Sequence, residues 1–180
     1  PGRSDERGMN KGGHGLKASL LAIGVGFVLK PAGDASTFVA IAQVFMPLVL
    51  GALVPDVDTA FGKHRKTLHN LPILGIFLAY PYFFSNLNFV WAGILTHYLL
   101  DVIGSRRGIA LFYPFWSAEF GMPTGVTTAS KYSEIVTVAI TLVELAVFAI
   151  MVYLLPEYLP PGLTLPGAAK SVAVVAPTPL

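Results

Sequence analysis

His97 and Asp101 stand four residues apart in Thr96-His97-Tyr98-Leu99-Leu100-Asp101, inside an apolar run, so a helix there carries both on one face. Ionisable groups in such a run are costly to bury, and their default reading is functional, with each other or a shared cation as partner. Two further pairs have ligand chemistry: Asp56 and Asp58 in Val54-Pro55-Asp56-Val57-Asp58-Thr59, and His64 and His69 in Lys63-His64-Arg65-Lys66-Thr67-Leu68-His69-Asn70. The first offers carboxylates at i and i+2, freed from helix by the proline, that can converge on one cation or bridge two. Acids are disfavoured at a helix C-terminus, where the dipole end is already negative. The second offers imidazole, the commonest metal-binding side chain, within a basic stretch whose lysines suit anionic lipid heads. His14 completes the four histidines of the chain. Each cluster alone has a bland reading: a helical His–Asp hydrogen bond, a solvated helix end, a basic anchor. Together they make a nitrogen and carboxylate ligand set suited to a metal-dependent hydrolase.

Membrane helices must position these residues. Of 180 residues, 54% are hydrophobic and only 12% charged, against about 25% charged in soluble domains, and the mean hydropathy is +0.66. Five apolar stretches run Leu16–Leu29, Ala35–Val54, Leu71–Phe84, Phe89–Ile103 and Ile135–Leu155. A full span needs about 20 residues, so the second and fifth cross comfortably and the others are short or partly embedded. Pro72 and Pro81 should kink or end the third stretch, and Pro47 should bend the second. The expected fold is an all-α integral membrane protein, a small bundle of about five apolar helices. Its parts are a basic arm at 1–13, the bundle with its metal site at 14–155, and an irregular tail at 156–180 with six prolines. The aromatic stretch Gly108–Gly121 suits the headgroup region. Gln43 and Glu144 read as packed polar contacts between helices rather than site residues.

Charge sets the expected orientation. Arg3, Arg7, Lys11, Lys17, Lys63, Arg65, Lys66, Arg106, Arg107 and Lys131 fall on the face of the N-terminus, and only Lys30 and Lys170 fall opposite. The positive-inside rule then makes the N-terminus and the ligand cluster cytoplasmic. The first stretch, followed by Asp34-Ala35-Ser36, also has the outline of a signal peptide, but its removal would discard His14. A net charge of +2, spread in short clusters beside apolar segments, gives no case for nucleic-acid binding. With no cysteine, thiolate sites are excluded, which leaves imidazole and carboxylate to hold zinc, manganese or iron.

The motif order resembles a known family. Gly13-His14, Pro-Asp-Val-Asp at 55–58, His-Arg-x-x-x-His at 64–69, His-x-x-x-Asp at 97–101, and Gly108-Ile109-Ala110-Leu111 with Tyr113-Pro114 resemble the YdjM-like proteins. That resemblance covers roughly His14 to Trp116 and implies an inner-membrane metal-dependent hydrolase. Thr59 stands where the family often has a histidine, which leaves a two-metal ligand set one residue short. Lys66, Leu68 and Asn70 replace its usual glycine, threonine and serine.

The resulting expectation is specific. His14, Asp56, Asp58, His64, His69, His97 and Asp101 hold one or two divalent ions, zinc first among them. Asp58 serves as general base, Arg65 clamps an anionic oxygen, and Arg106 and Arg107 hold a lipid headgroup. The substrate is a phosphoester of a lipid or isoprenoid, and membrane lipid is the only partner foreseen. Two rivals stand beside it: a metal carrier or sensor with the same ligands and no hydrolysis, and a non-catalytic scaffold whose charged hairpins bind a cytoplasmic partner.

Overall fold

Asp34 starts the second helix by capping it: its Oδ1 accepts from the Ser36 and Thr37 amides at 2.8 and 3.4 Å, satisfying donors that a helix N-terminus otherwise leaves open. In a computed structural model, which describes residues 11–60, 62–84, 88–104, 107–123, 125–126, 130 and 132–155, five α-helices follow. They are α1 Lys11–Leu29, α2 Ala35–Leu53, α3 Leu71–Phe84, α4 Val90–Leu99 and α5 Ser133–Leu154. A 3₁₀ turn, Pro55–Thr59, extends α2, and a π turn, Leu100–Gly104, extends α4. Among the described residues the only extended pairing is an isolated bridge between Ile109 and Phe120. The chain is an all-α membrane bundle.

The boundaries depart from the apolar stretches in informative ways. The first helix begins five residues before Leu16, at Lys11, and so takes in His14. α2 runs unbroken through Pro47, and α3 continues past Pro81. Residues 1–10, Arg106 and 156–180 lie outside the described residues, as do the calls that fall on them.

Packing uses small residues. Ala18, Leu21, Ala22, Val25 and Leu29 form the buried stripe of α1 and meet Val44, Leu48 and Ala52 of α2, with the spacing of one helical face. α4 lies on the other flank of α2 at glycine distance. A Cβ on Gly51 would meet the Val90 carbonyl oxygen at 2.1 Å, and one on Gly93 would meet that of Leu48 at 2.1 Å. Close backbone approach of this kind is how helices associate where lipid removes the hydrophobic drive.

α5 packs along α1, yet only Thr141 of its length is buried. Ile135, Leu142, Val143 and Leu154 are all more than 60% exposed, an apolar surface that faces lipid. α2 with its extension (25 residues) and α5 (22 residues) are long and apolar enough to cross a bilayer. The apolar parts of the other three are shorter: His14–Leu29, Leu71–Tyr80 and Val90–Gly104.

An ion pair links α1 to α5 inside the bundle. Lys17 Nζ donates to Glu144 Oε1 at 3.1 Å and to the Thr96 carbonyl at 3.2 Å, and the Thr96 hydroxyl also donates to Glu144. Glu144 is thus the interhelical polar contact expected of it. Lys17, only 1% exposed, is an internal cation rather than a headgroup charge, so it drops out of the count that sets orientation.

Candidate metal centre

All the sequence-predicted ligands gather at one end of the bundle, from four elements. α1 supplies His14, the 3₁₀ turn supplies Asp56 and Asp58, the loop before α3 supplies His64 and His69, and α4 with its π turn supplies His97 and Asp101. Except for His64 they are buried, Asp58 and His69 completely. The π turn widens the helix at Asp101, a departure that recurs at functional sites. Asp101 Oδ2 consequently lies 3.4 Å from His97 Nε2 and 3.5 Å from His69 Nε2.

The histidine tautomers follow from their partners. His97 Nδ1 lies 2.7 Å from the Ala52 carbonyl oxygen, so this nitrogen donates and Nε2 carries the lone pair. His69 Nδ1 lies 3.0 Å from Asp58 Oδ2, which leaves its Nε2 as the lone-pair atom too. These two Nε2 atoms face each other at 3.0 Å in a buried site. Two acceptors held in that geometry repel unless a cation or proton lies between them. Ligand atoms about 2.1 Å from a tetrahedral zinc stand roughly 3.4 Å apart, and the contacts among His69, His97, Asp101 and Asp56 run from 3.0 to 3.8 Å. The donor set therefore fits a divalent metal. Burial also pushes His69 down to about 4, helped by the neighbouring His97 and opposed by Asp101 and Asp58, so the ring is neutral at physiological pH and its lone pair is available to a metal.

Two groups of three ligand atoms come within 4.8 Å of one another: His14 with His97 and Asp101, and Asp56 with His64 and His69. His14 stacks on His97, ring centroids 3.8 Å apart, and its Nε2 is 3.8 Å from Asp101 Oδ1. Its Nδ1 is buried without a hydrogen-bond partner among the described residues.

Asp58 is arranged otherwise than a general base needs. Its Oδ1 meets His64 Nδ1 and its Oδ2 meets His69 Nδ1, each at 3.0 Å, and Oδ2 also accepts from the Leu68 amide. A fully buried carboxylate with both oxygens so engaged orients two imidazoles. His64, with 42% of its side chain exposed, is the solvent-facing member.

Arg65 is buried at positive φ, 67°. Its Nη1 donates to the Gly108 carbonyl at 3.0 Å, and its own carbonyl accepts from the Ala110 amide at 2.9 Å. The guanidinium bears electrostatically on Asp101. Gly108, at φ 73°, is required: a Cβ there would stand 2.0 Å from the Phe120 carbonyl oxygen. Arg107 is half-exposed and pairs with Glu119 at 3.3 Å. Beside it, Phe112, Trp116 and Phe120 form an aromatic cluster, with Phe115 90% exposed.

Sequence reasoning missed Tyr98. Its hydroxyl accepts from the Asn70 amide at 3.0 Å and donates to the Leu68 carbonyl, pinning the turn that carries His69. A tyrosine inside an apolar segment must find a partner for its hydroxyl, which was the available signal. Asn70 in turn caps α3, accepting from the Ile73 amide at 3.1 Å.

Buried imidazoles and carboxylates at one end of a helical membrane bundle define a membrane protein with a candidate metal centre. A family model described as YdjM inner membrane protein matches residues 9–160. The chain belongs to that family and is an inner-membrane protein. No curated protein and no solved structure matches it.

Proposed function

We propose that the protein is a metal-dependent hydrolase working at the cytoplasmic headgroup level on a phosphoester of a lipid or isoprenoid. The observation that carries this reading is the confrontation of His69 Nε2 and His97 Nε2 at 3.0 Å, with Asp101 beside both. His69, His97, Asp101 and Asp56 would hold the ion, with His14 next to them. A bound divalent ion supplies Lewis acidity and lowers the pKa of its water towards about 7. Two ligand groups leave room for a second ion, with zinc favoured and manganese or iron as alternatives.

The chain's own residues do the rest. The Ala52 carbonyl and Asp58 hold His97 and His69 in the ligating tautomer. His64, oriented through Nδ1 by Asp58, presents Nε2 towards solvent and can carry a proton to or from the reacting group. Water's oxygen joins phosphorus, the ester oxygen leaves with a proton as the alcohol, and inorganic or monoester phosphate remains. Arg65 contributes fixed positive charge beside the carboxylates, suited to an anionic oxygen. Arg107 and Lys66, with the aromatic cluster, form a basic and aromatic rim fitted to a lipid headgroup. The charge bias that supports a cytoplasmic placement of this face survives without Lys17.

Elemental analysis of detergent-purified protein tests this, with wild type beside His97→Ala/Asp101→Ala. Stoichiometric metal that is lost in the double variant, together with metal-dependent phosphate release from phosphatidic acid or an isoprenyl phosphate, is the expected result. Wild type that stays metal-free after incubation with zinc, manganese and iron would sink the hydrolase reading and favour the scaffold.

A further inference from the structure

A second feature lies beside the metal centre. A cavity of about 470 Å³ runs between α1, α2, α4 and α5, partly open to the outside of the bundle. Its walls are aliphatic and aromatic: Leu21 and Val25 from α1, Leu95 and Leu99 from α4, Val143 and Val147 from α5. The polar exceptions are Thr96 and Glu144, which hydrogen-bond each other and Lys17.

We infer that this groove seats a single hydrocarbon chain of a lipid phosphate whose headgroup reaches the metal centre. This deepens the hydrolase reading and rests on it for the headgroup, while chain binding stands by itself.

Three observations support one chain as the occupant. The first is depth. The lining residues of α5 run from Ala139 to Met151, twelve steps that at about 1.5 Å each span roughly 18 Å. One leaflet is half of a hydrocarbon core of about 30 Å, so the groove matches the reach of one lipid tail. The second is chemistry: the lining is apolar except at Thr96 and Glu144, and both of these already have hydrogen-bond partners within the protein, so the space suits a hydrocarbon chain rather than a polar solute. The third is continuity with the site. The segment from Phe89 through α4 and its π turn to Ile103 lines the groove, and its other face carries His97 and Asp101. Lys17, the cation behind the groove's polar spot, sits one turn along α1 from His14. A chain lying in the groove therefore leaves its headgroup at the end of the bundle where the ligands gather.

Trp91 lines the groove, and Trp116 is the only other tryptophan, so Trp116→Phe leaves one reporter. The probe is a lysophosphatidic acid brominated near the end of its acyl chain, titrated into metal-free protein in detergent. Emission should fall and saturate at one lipid per protein, and unbrominated lysolipid should reverse the loss. Adding Ala139→Phe or Ala92→Phe, each of which fills the groove, should abolish the saturable quenching; either variant that keeps its helical circular dichroism serves. Adding His97→Ala/Asp101→Ala should preserve it. Quenching that grows without saturation, or that is unchanged in a folded groove-filled variant, overturns the inference. Saturable quenching in a protein that never binds metal would keep the groove as a lipid seat and remove the hydrolase reading instead.

Discussion

Replacing His97 by alanine should weaken the protein in a metal-dependent way, and the structure gives the size. Without metal, His97→Ala removes the Nδ1–H bond to the Ala52 carbonyl and the stacked contact with His14. Loss of a buried hydrogen-bond partner costs about 1–3 kcal/mol. The same change relieves the lone-pair conflict with His69 Nε2 at 3.0 Å, so the net loss belongs at the low end, about 1 kcal/mol. With metal the comparison changes. At a free concentration 100 times its Kd, zinc stabilises wild type by about 2.7 kcal/mol. If losing a ligand weakens affinity about 100-fold, the upper range seen for outer-shell changes alone, the variant gains only about 0.4 kcal/mol at the same zinc concentration. Wild type and variant should therefore differ by about 3 kcal/mol with zinc and by only about 1 kcal/mol with chelator, the change of about 2.3 kcal/mol being the metal's. Unfolding in mixed micelles with a denaturing detergent, followed by tryptophan emission in both conditions, reads it directly. Equal zinc increments in the two proteins would refute the assignment of His97 Nε2 as a ligand, and no increment in wild type would refute the site.

Asp58→Asn should keep the fold and lower metal affinity 10- to 100-fold, because an amide oxygen can replace only one of the two imidazole contacts; chelator competition measures it, and unchanged affinity would remove Asp58's orienting role. Lys17→Met or Glu144→Gln alone should cost roughly 3–5 kcal/mol, whereas Lys17→Met/Glu144→Met should be near neutral; detergent unfolding distinguishes this from simple additivity. Because His69 sits near about 4 when folded, against 6.5 as its ordinary value, the unfolded chain holds more protons between those pH values. Stability of the metal-free protein should then decline as pH falls through that window, by roughly 3 kcal/mol from this residue; His69→Gln should flatten that limb, and an unaltered slope would argue against it. Gly93→Leu must push α4 off the Leu48 carbonyl and should abolish metal binding without touching a ligand; elemental analysis that still found bound metal would show that the α2–α4 contact does not govern the site.

The helices were legible because apolar runs in a membrane protein leave little else to read, and the cluster of candidate ligands because titratable groups stand out against such runs. His97 and Asp101 illustrate both the strength and the limit of this. Their spacing gave a shared face, but nothing in it announced the π turn that brings Asp101 Oδ2 to both Nε2 atoms. Asp58 was recognisable as a site carboxylate, yet which role it plays depends on His64 and His69 reaching it from across a loop, a tertiary fact. Lys17 was misjudged by position. A lysine near the basic end of a helix looks like a headgroup anchor until Glu144, 127 residues away, is found opposite. The Ala52 carbonyl could not be found at all, since a backbone acceptor has no residue type to betray it.

The glycine contact between α2 and α4 bears on how the chain is made. With its π turn, α4 extends only from Val90 to Gly104, about 22 Å at helical rise, and it brings an imidazole and a carboxylate with it. Such a segment has little reason to settle in lipid by itself. Its entry would be favoured by α2, which is long and apolar enough to cross by itself and offers Gly51 against Val90 and the Ala52 carbonyl to His97. The expected order of biogenesis puts the long hydrophobic helix first and the short polar-bearing one after it. His97 and Asp101 would then meet the other candidate ligands only at that docking step, so a metal would be loaded after insertion rather than before it.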